Sequence, residues 1–244
     1  MTDRARIALF PLFLLVFSPL AAQPDIAVIL ADPSRPAADR ERDAGRMPAA
    51  ILDFFDIGPS DSVADLLCGG GYYTRILTPL VGDDGEVYAG NNPFFARFGD
   101  EALTALLAEP GFENVHRIDG PVDELALPVD GSLDTVIIVL AYHDLWLTDE
   151  DRDEMNRRVF TSLKPGGVYG IVDHHAAAGT GTDVIQSLHR IEDSVIIDEV
   201  TGAGFSLPAR ADFLSNSDDD RSLRIFDPSI RGQTDRFVLR FEKP

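Results

Sequence analysis

The chain has 244 residues, 45% of them apolar, and a formal charge of −20. That is enough apolar content for one sizeable core. The negative charge is spread along the chain, and a nucleic-acid binder needs a basic stripe to displace counterions, so no nucleic-acid partner is expected. Cys68 is the only cysteine, which excludes an intramolecular disulfide.

The first residues read as a targeting segment rather than as part of the fold. Arg4 and Arg6 form a basic start, residues 7–17 an apolar stretch interrupted only by Pro11, and Leu20-Ala21-Ala22 a small-residue cleavage site. The expectation is a signal peptide over 1–22, an exported protein that is periplasmic or secreted, and no stable membrane insertion after cleavage. No later stretch approaches the roughly 18 uninterrupted apolar residues of a membrane span. Residues 23–47 then form a helical extension and 48–244 the main domain.

A charged helix is predicted over 36–46 and a second from Pro48 to 55, where proline is tolerated in the first turn. The body then alternates: strand 63–67, helix 72–80, strand 86–90, helix 93–107 and strand 115–119. The unbroken run Val136-Ile137-Ile138-Val139-Leu140 in strand 135–141 suits a strand buried on both faces, hence a central one. An amphipathic helix over 148–163 ends at Lys164-Pro165-Gly166-Gly167 and leads into strand 168–173. Val184, Leu188, Ile191 and Val195 recur at helical spacing, predicting one helix over 184–202, before strands near 205–214 and 237–241. This order predicts a doubly wound, Rossmann-like α/β fold: a seven-stranded, mostly parallel sheet with one antiparallel edge strand and helices on both faces.

The most informative segment is Val63-Ala64-Asp65-Leu66-Leu67-Cys68-Gly69-Gly70-Gly71-Tyr72-Tyr73-Thr74, an apolar strand running through a triple glycine into a helix. Glycines there let a nucleotide-like ligand approach the backbone at the carboxyl end of the strand. Asp65 to Gly71 resembles the first motif of the class I S-adenosylmethionine (SAM) dependent methyltransferases. The resemblance extends over about 48–242, through Asp130-Gly131-Ser132-Leu133-Asp134 and Leu163-Lys164-Pro165-Gly166-Gly167. The chain is also similar to a subgroup of exported predicted methyltransferases, through Gly69-Gly70-Gly71-Tyr72-Tyr73-Thr74, Asn91-Asn92-Pro93-Phe94, Tyr142-His143-Asp144-Leu145 and Asp227-Pro228-Ser229-Ile230-Arg231-Gly232.

The resemblance implies SAM as cofactor and methyl transfer to a nucleophilic atom of a small-molecule acceptor. Asp65 would hold the amino group of SAM, and Gly69, Gly70 and Gly71 would give it room. Asn91 stands where the family has an acidic residue for the ribose hydroxyls, and Leu67 replaces the first glycine of the motif. Pro121 stands near the adenine-contacting aspartate, which leaves Asp119 as the candidate for that contact.

Three of the five histidines fall at the predicted ligand edge: His143, with Asp144, after the fourth strand, and His174 and His175, with Asp173, after the fifth. Imidazole titrates near working pH, so His143 is the expected general base, oriented by Asp144 or Asp173, with His174 a further catalytic candidate. No metal is expected, because the acidic pair of the metal-dependent catechol-type enzymes is missing after the fifth strand. His189 reads as a helix-surface or packing residue, Arg46 as half of an ion pair with Asp43, and the run Asp218-Asp219-Asp220 as solvated surface. Arg231 and Arg236, before the last strand, fit an anionic acceptor. Two other readings share the fold: a non-catalytic ligand-binding protein and a hydrolase using the histidines. N-terminal sequencing of the exported protein is expected to give Gln23 as first residue; an intact Met1 in a soluble cytosolic fraction would remove the export expectation.

Overall fold

Apolar strands separated by helical stretches fold here into one sheet. The computed structural model describes residues 25–244, and the expected signal segment lies outside them. The strands are β1 (Ser62–Leu66), β2 (Glu86–Gly90), β3 (Val115–Arg117), β4 (Leu133–Val139), β5 (Leu163–His174), β6 (Ser206–Ala211) and β7 (Arg236–Glu242). They lie in the order β3-β2-β1-β4-β5-β7-β6. From β3 through β5 all pairings are parallel. The antiparallel pairings come at one edge, where β7 joins β5 and the outermost β6. Sequence order reverses between β1 and β4, which opens a crevice at their carboxyl ends.

Among the described residues, eight α-helices accompany the sheet: α1 (Ile26–Ala31), α2 (Ala37–Arg46), α3 (Pro48–Phe54), α4 (Thr74–Val81), α5 (Pro93–Leu107), α6 (Arg152–Ser162), α7 (Ile185–Leu188) and α8 (Asp193–Gly202). The run in β4 is central, as its lack of a polar face requires. Val136 and Ile138 pack with Met155, Val159, Ile196 and Val200 from α6 and α8. Ile137, on the opposite face, packs with Ile51, Leu52, Ile76 and Leu77 from α3 and α4. Among the described residues no helix is long and apolar enough to cross a membrane.

Two expected elements are remade by tertiary contacts. The helix predicted from 148 begins only at α6, where the Asp151 carboxylate caps it by accepting the Glu154 N–H at 2.9 Å. A 3₁₀ turn over Tyr142–Leu147 precedes it. The helix predicted over 184–202 is broken into α7 and α8 by His189, whose φ is +54°, and by Ile191, which bridges to His175.

The cause of the break is Arg190, which is fully buried. Its guanidinium donates to the Leu223 carbonyl at 3.0 Å and the His175 carbonyl at 3.1 Å and pairs with Asp219 at 2.8 Å. Asp219 also accepts the Asp235 N–H at 2.7 Å. The middle of the acidic run is therefore a buried tie between the β6–β7 connection and the end of β5, not solvated surface. Arg190→Leu is expected to destabilise the protein by about 3–5 kcal/mol in urea unfolding, because it strands a buried carboxylate. A loss under about 1 kcal/mol would show that the pair does not hold this edge.

Candidate cofactor cleft and acceptor chamber

The loop after β1 is shaped by backbone conformation and by neighbours on β2 and α5. Leu67 has φ +57°, Gly69 +58° and Gly71 +83°. Leu67 thus holds a left-handed backbone, a conformation that L-residues adopt only at a cost. Its side chain is buried in the core. Leu140, at the end of β4, shares this unusual state with φ +59°. A Cβ on Gly71 would lie 2.5 Å from the end of the Leu106 side chain, which could shift, but the φ of +83° itself disfavours any other residue there. A Cβ on Gly69 would meet nothing within 4 Å, because that residue borders open space.

Asn91 follows β2 and spends its amide on this loop. Its Oδ1 accepts the Gly69 N–H at 2.8 Å and its Nδ2 donates to the Gly69 carbonyl at 2.9 Å. Its own N–H donates to Asp119 Oδ1 at 2.9 Å. Asn91 and Asp119 are therefore brought to the loop as expected, but as a relay that holds Gly69 in place. Asp119 is further paired with Arg117. Gly99 completes the clamp: a Cβ there would fall 2.4 Å from the Gly69 carbonyl oxygen. Sequence reasoning missed Gly99; its one signal is a glycine inside an otherwise good helix.

Asp65, near the end of β1, is buried and accepts the Thr74 hydroxyl at 2.7 Å. Burial pushes its carboxyl up to about 6. It lies in a cleft of about 340 Å³ whose floor includes Gly69 and Gly70 and whose walls include Tyr72, Tyr73 and Phe95. Arg42 and Arg46 of α2 reach over the cleft. Arg46 stands 4.4 Å from the centre of the Tyr72 ring, and burial draws its pKa down. The expected Arg46–Asp43 pair does not form. Asp43 instead takes both Nη atoms of Arg35, at 2.6 and 2.8 Å, and the Tyr72 hydroxyl at 2.5 Å. The Cys68 thiol is raised by burial, which makes it a poor nucleophile.

Asp173 brings the other expected residues together. Its carboxylate accepts the His143 N–H at 2.8 Å, the His143 Nδ1–H at 2.7 Å and the His174 N–H at 2.7 Å. His143 is fully buried. Burial alone would lower its pKa, but the Asp173 charge and the Asp144 carboxylate, 3.3 Å from Nε2, outweigh burial and raise it to about 10. His143 is thus an imidazolium between two aspartates. Asp144 also meets His189 Nδ1 at 3.0 Å, and His189 Nε2 faces the Arg224 guanidinium at 3.0 Å. His189 therefore belongs to a polar cluster rather than a helix surface.

His143, Asp144 and His189 place one potential ligand atom each within 4.8 Å of one another. With Arg224 donating to Nε2, however, His189 keeps its proton on Nδ1, and the His143 cation already balances Asp144. The His143 Nε2 atom is buried and has no hydrogen-bond partner, although Asp144 lies 3.3 Å away.

His174 has a different outlook. Its Nδ1 is 2.7 Å from the Thr234 hydroxyl, and burial, with cationic neighbours, holds its pKa well below the usual value. It lines a second chamber of about 500 Å³ that also contains Phe226, Arg231 and Arg236 and shares Arg42, Arg46 and Leu140 with the first cleft. His175 turns elsewhere, to Asp235 at 3.3 Å and Asp193 at 3.6 Å. Gly99→Ala is expected to displace the Gly69 backbone, lowering stability by about 1–3 kcal/mol and shifting the amide resonances of Gly69 and Gly71. Unchanged loop resonances would show that α5 does not position the loop.

Comparison with known proteins bears on this geometry. No family model matches the chain. It is 25% identical over 190 residues to the ubiquinone/menaquinone biosynthesis C-methyltransferase UbiE of Legionella pneumophila, covering 78% of this chain and 67% of that protein. A SAM-dependent methyltransferase structure from Aquifex aeolicus superposes with a TM-score of 0.59 at 18% identity, covering 90% of this chain and 99% of that one. Geranyl diphosphate C-methyltransferase of Streptomyces coelicolor, solved with Mg²⁺, geranyl diphosphate and S-adenosyl-L-homocysteine, superposes with a TM-score of 0.59 at 13% identity, covering 89% and 88%. The [4+2]-cyclase SpnF also superposes, with a TM-score of 0.59 at 16% identity, so the likeness establishes the class I SAM-dependent methyltransferase fold of this chain.

Proposed function

We propose that the protein transfers a methyl group from SAM to a nucleophilic atom of a small-molecule acceptor. The observation that carries this reading is the junction of the two cavities. The Gly69–Gly70 cleft and the His174 chamber meet at Leu140 and Arg46. A donor in one therefore faces an acceptor in the other. The cleft fits the cofactor: Gly69 leaves open space where a side chain would project, and the buried Asp65 carboxylate offers an anionic partner to an amino group. The proteins of similar sequence and fold support the same reading.

SAM, held by the residues of the Gly69–Gly70 cleft, would supply an electrophilic sulfonium methyl group for transfer to an acceptor lone pair. The chain's task is to position both partners and, where the nucleophile carries a proton, to remove it. Asn91 and Gly99 hold the loop that receives the cofactor. His174 is placed to serve as general base: it borders the acceptor chamber, and in the tautomer whose Nδ1–H donates to Thr234 its Nε2 lone pair is free. His143, the base expected from sequence, is already protonated and lines neither cavity. It acts as a positioning residue that joins the ends of β4 and β5 through Asp173. Export is part of the same proposal, supported by the pattern of residues 1–22, and requires that SAM reach the protein after export.

Calorimetry of the protein with SAM and with S-adenosyl-L-homocysteine is expected to show saturable binding that Asp65→Ala or Gly69→Val abolishes. Because Asp65 must ionise to meet an ammonium group, affinity should fall as pH drops through about 6 and stay level in Asp65→Asn. In an acceptor screen His174→Gln should keep cofactor affinity and lower transfer by about 100-fold. No heat at millimolar ligand would overturn the cofactor reading. Binding without transfer to any acceptor would favour a non-catalytic protein on this fold.

A further inference from the structure

The second chamber has a charge character at odds with the rest of the molecule. The chain as a whole carries −20, yet four arginines and one glutamate, Glu41, line this cavity. Arg42 has its own partner in Asp39. Among the described residues no carboxylate lies within ion-pair distance of Arg46, Arg231 or Arg236. Arg236 is buried, and its N–H groups go only to the neutral carbonyls of Thr234, Gly45 and Gly232, at 3.1, 2.8 and 2.6 Å. Like charges gathered in a partly enclosed space repel one another, and in a chain rich in aspartate and glutamate a local counter-charge would be easy to supply. None is built in. The chamber also has an apolar side: Ile225 and Leu140 line it, and Phe226 is 49% exposed there.

We propose that the acceptor is a small amphiphilic anion. Arg46, Arg231 and Arg236 take its carboxylate or phosphate, while its apolar part lies along Leu140, Ile225 and Phe226. The proposal rests on the reading of the first cleft as the cofactor site and names what enters the second. Arginine suits the task because its planar donor fork matches two oxygens of either group. Arg46 has a particular place, since it borders both cavities and so ties the seated anion to the cleft. His174, uncharged beside these cations, meets the acceptor without adding to the repulsion.

The test titrates phenyl phosphate, benzoate, benzamide and benzylamine into the protein, with and without saturating S-adenosyl-L-homocysteine. At least one of the two anions is expected to bind at least about 10-fold tighter than benzamide, with benzylamine weakest, and the ratio of phenyl phosphate to benzoate tells phosphate from carboxylate recognition. Arg231→Gln, at an exposed residue outside the cleft, should weaken the anion about 5- to 10-fold and leave S-adenosyl-L-homocysteine affinity unchanged. Arg46→Gln should weaken the anion as well. Benzamide binding as tightly as the anions, anion affinity unmoved by both substitutions, displacement of the anion by S-adenosyl-L-homocysteine, or no saturable binding of any probe would each overturn the proposal. Anion binding sensitive to Arg231 in a protein that takes no S-adenosyl-L-homocysteine would uphold the anion site and overturn the cofactor reading instead.

Discussion

The carboxylate of Asp173 is the point on which the site depends. It sits fully buried near the end of β5. It accepts one backbone and one ring N–H from His143 and a backbone N–H from His174. These bonds link the ends of two adjacent parallel strands, where open α/β sheets place their ligands. They also fix opposite fates for two histidines. His143 is drawn inward and charged, while His174 is turned toward the chamber and kept neutral by burial. A buried carboxylate needs several donors to be tolerated, and satisfying it orders the residues around it.

The cofactor side depends on backbone control. The loop after β1 is held from one side by the two-way bond between Asn91 and Gly69 and from the other by the side-chain-free face at Gly99. Leu67 and Leu140, both at positive φ, flank the same cleft. Strain at two strand ends beside a cavity is tolerated only where the surrounding packing leaves no alternative, and such strain gathers at functional sites.

The distribution of charge carries information that its total hides. An acidic chain argues against phosphate-rich polymers, and that exclusion rests on the absence of a basic stripe. It says nothing against a small anion in a cavity that concentrates arginine. Asp219 and Asp43 show the reverse effect: the one, read in the sequence as solvated surface, is committed to Arg190, and the other, read as a partner of Arg46, is committed to Arg35.

The sheet, its central strand and the Gly-rich turn were legible because they rest on local signals: an apolar run too long for one polar face, alternation of strand and helix, and consecutive glycines at a strand end. Asp65, Gly69 and Gly70 border the cleft because they lie at or just past the carboxyl end of β1, whereas Gly71, Asn91 and Asp119 do not line it. What each side chain does there was decided by tertiary structure. The amide of Asn91 turns to Gly69 because the loop passes within hydrogen-bond reach, and spacing along the chain does not encode that distance. The break at His189 and Arg190 was invisible because helical periodicity continues across it and only the buried Asp219, 29 residues away, draws the arginine inward. The exchange of roles between His143 and His174 has the same origin: both follow strands in the same way, and burial against Asp173 and Asp144 alone separates a fixed imidazolium from a neutral ring facing a cavity.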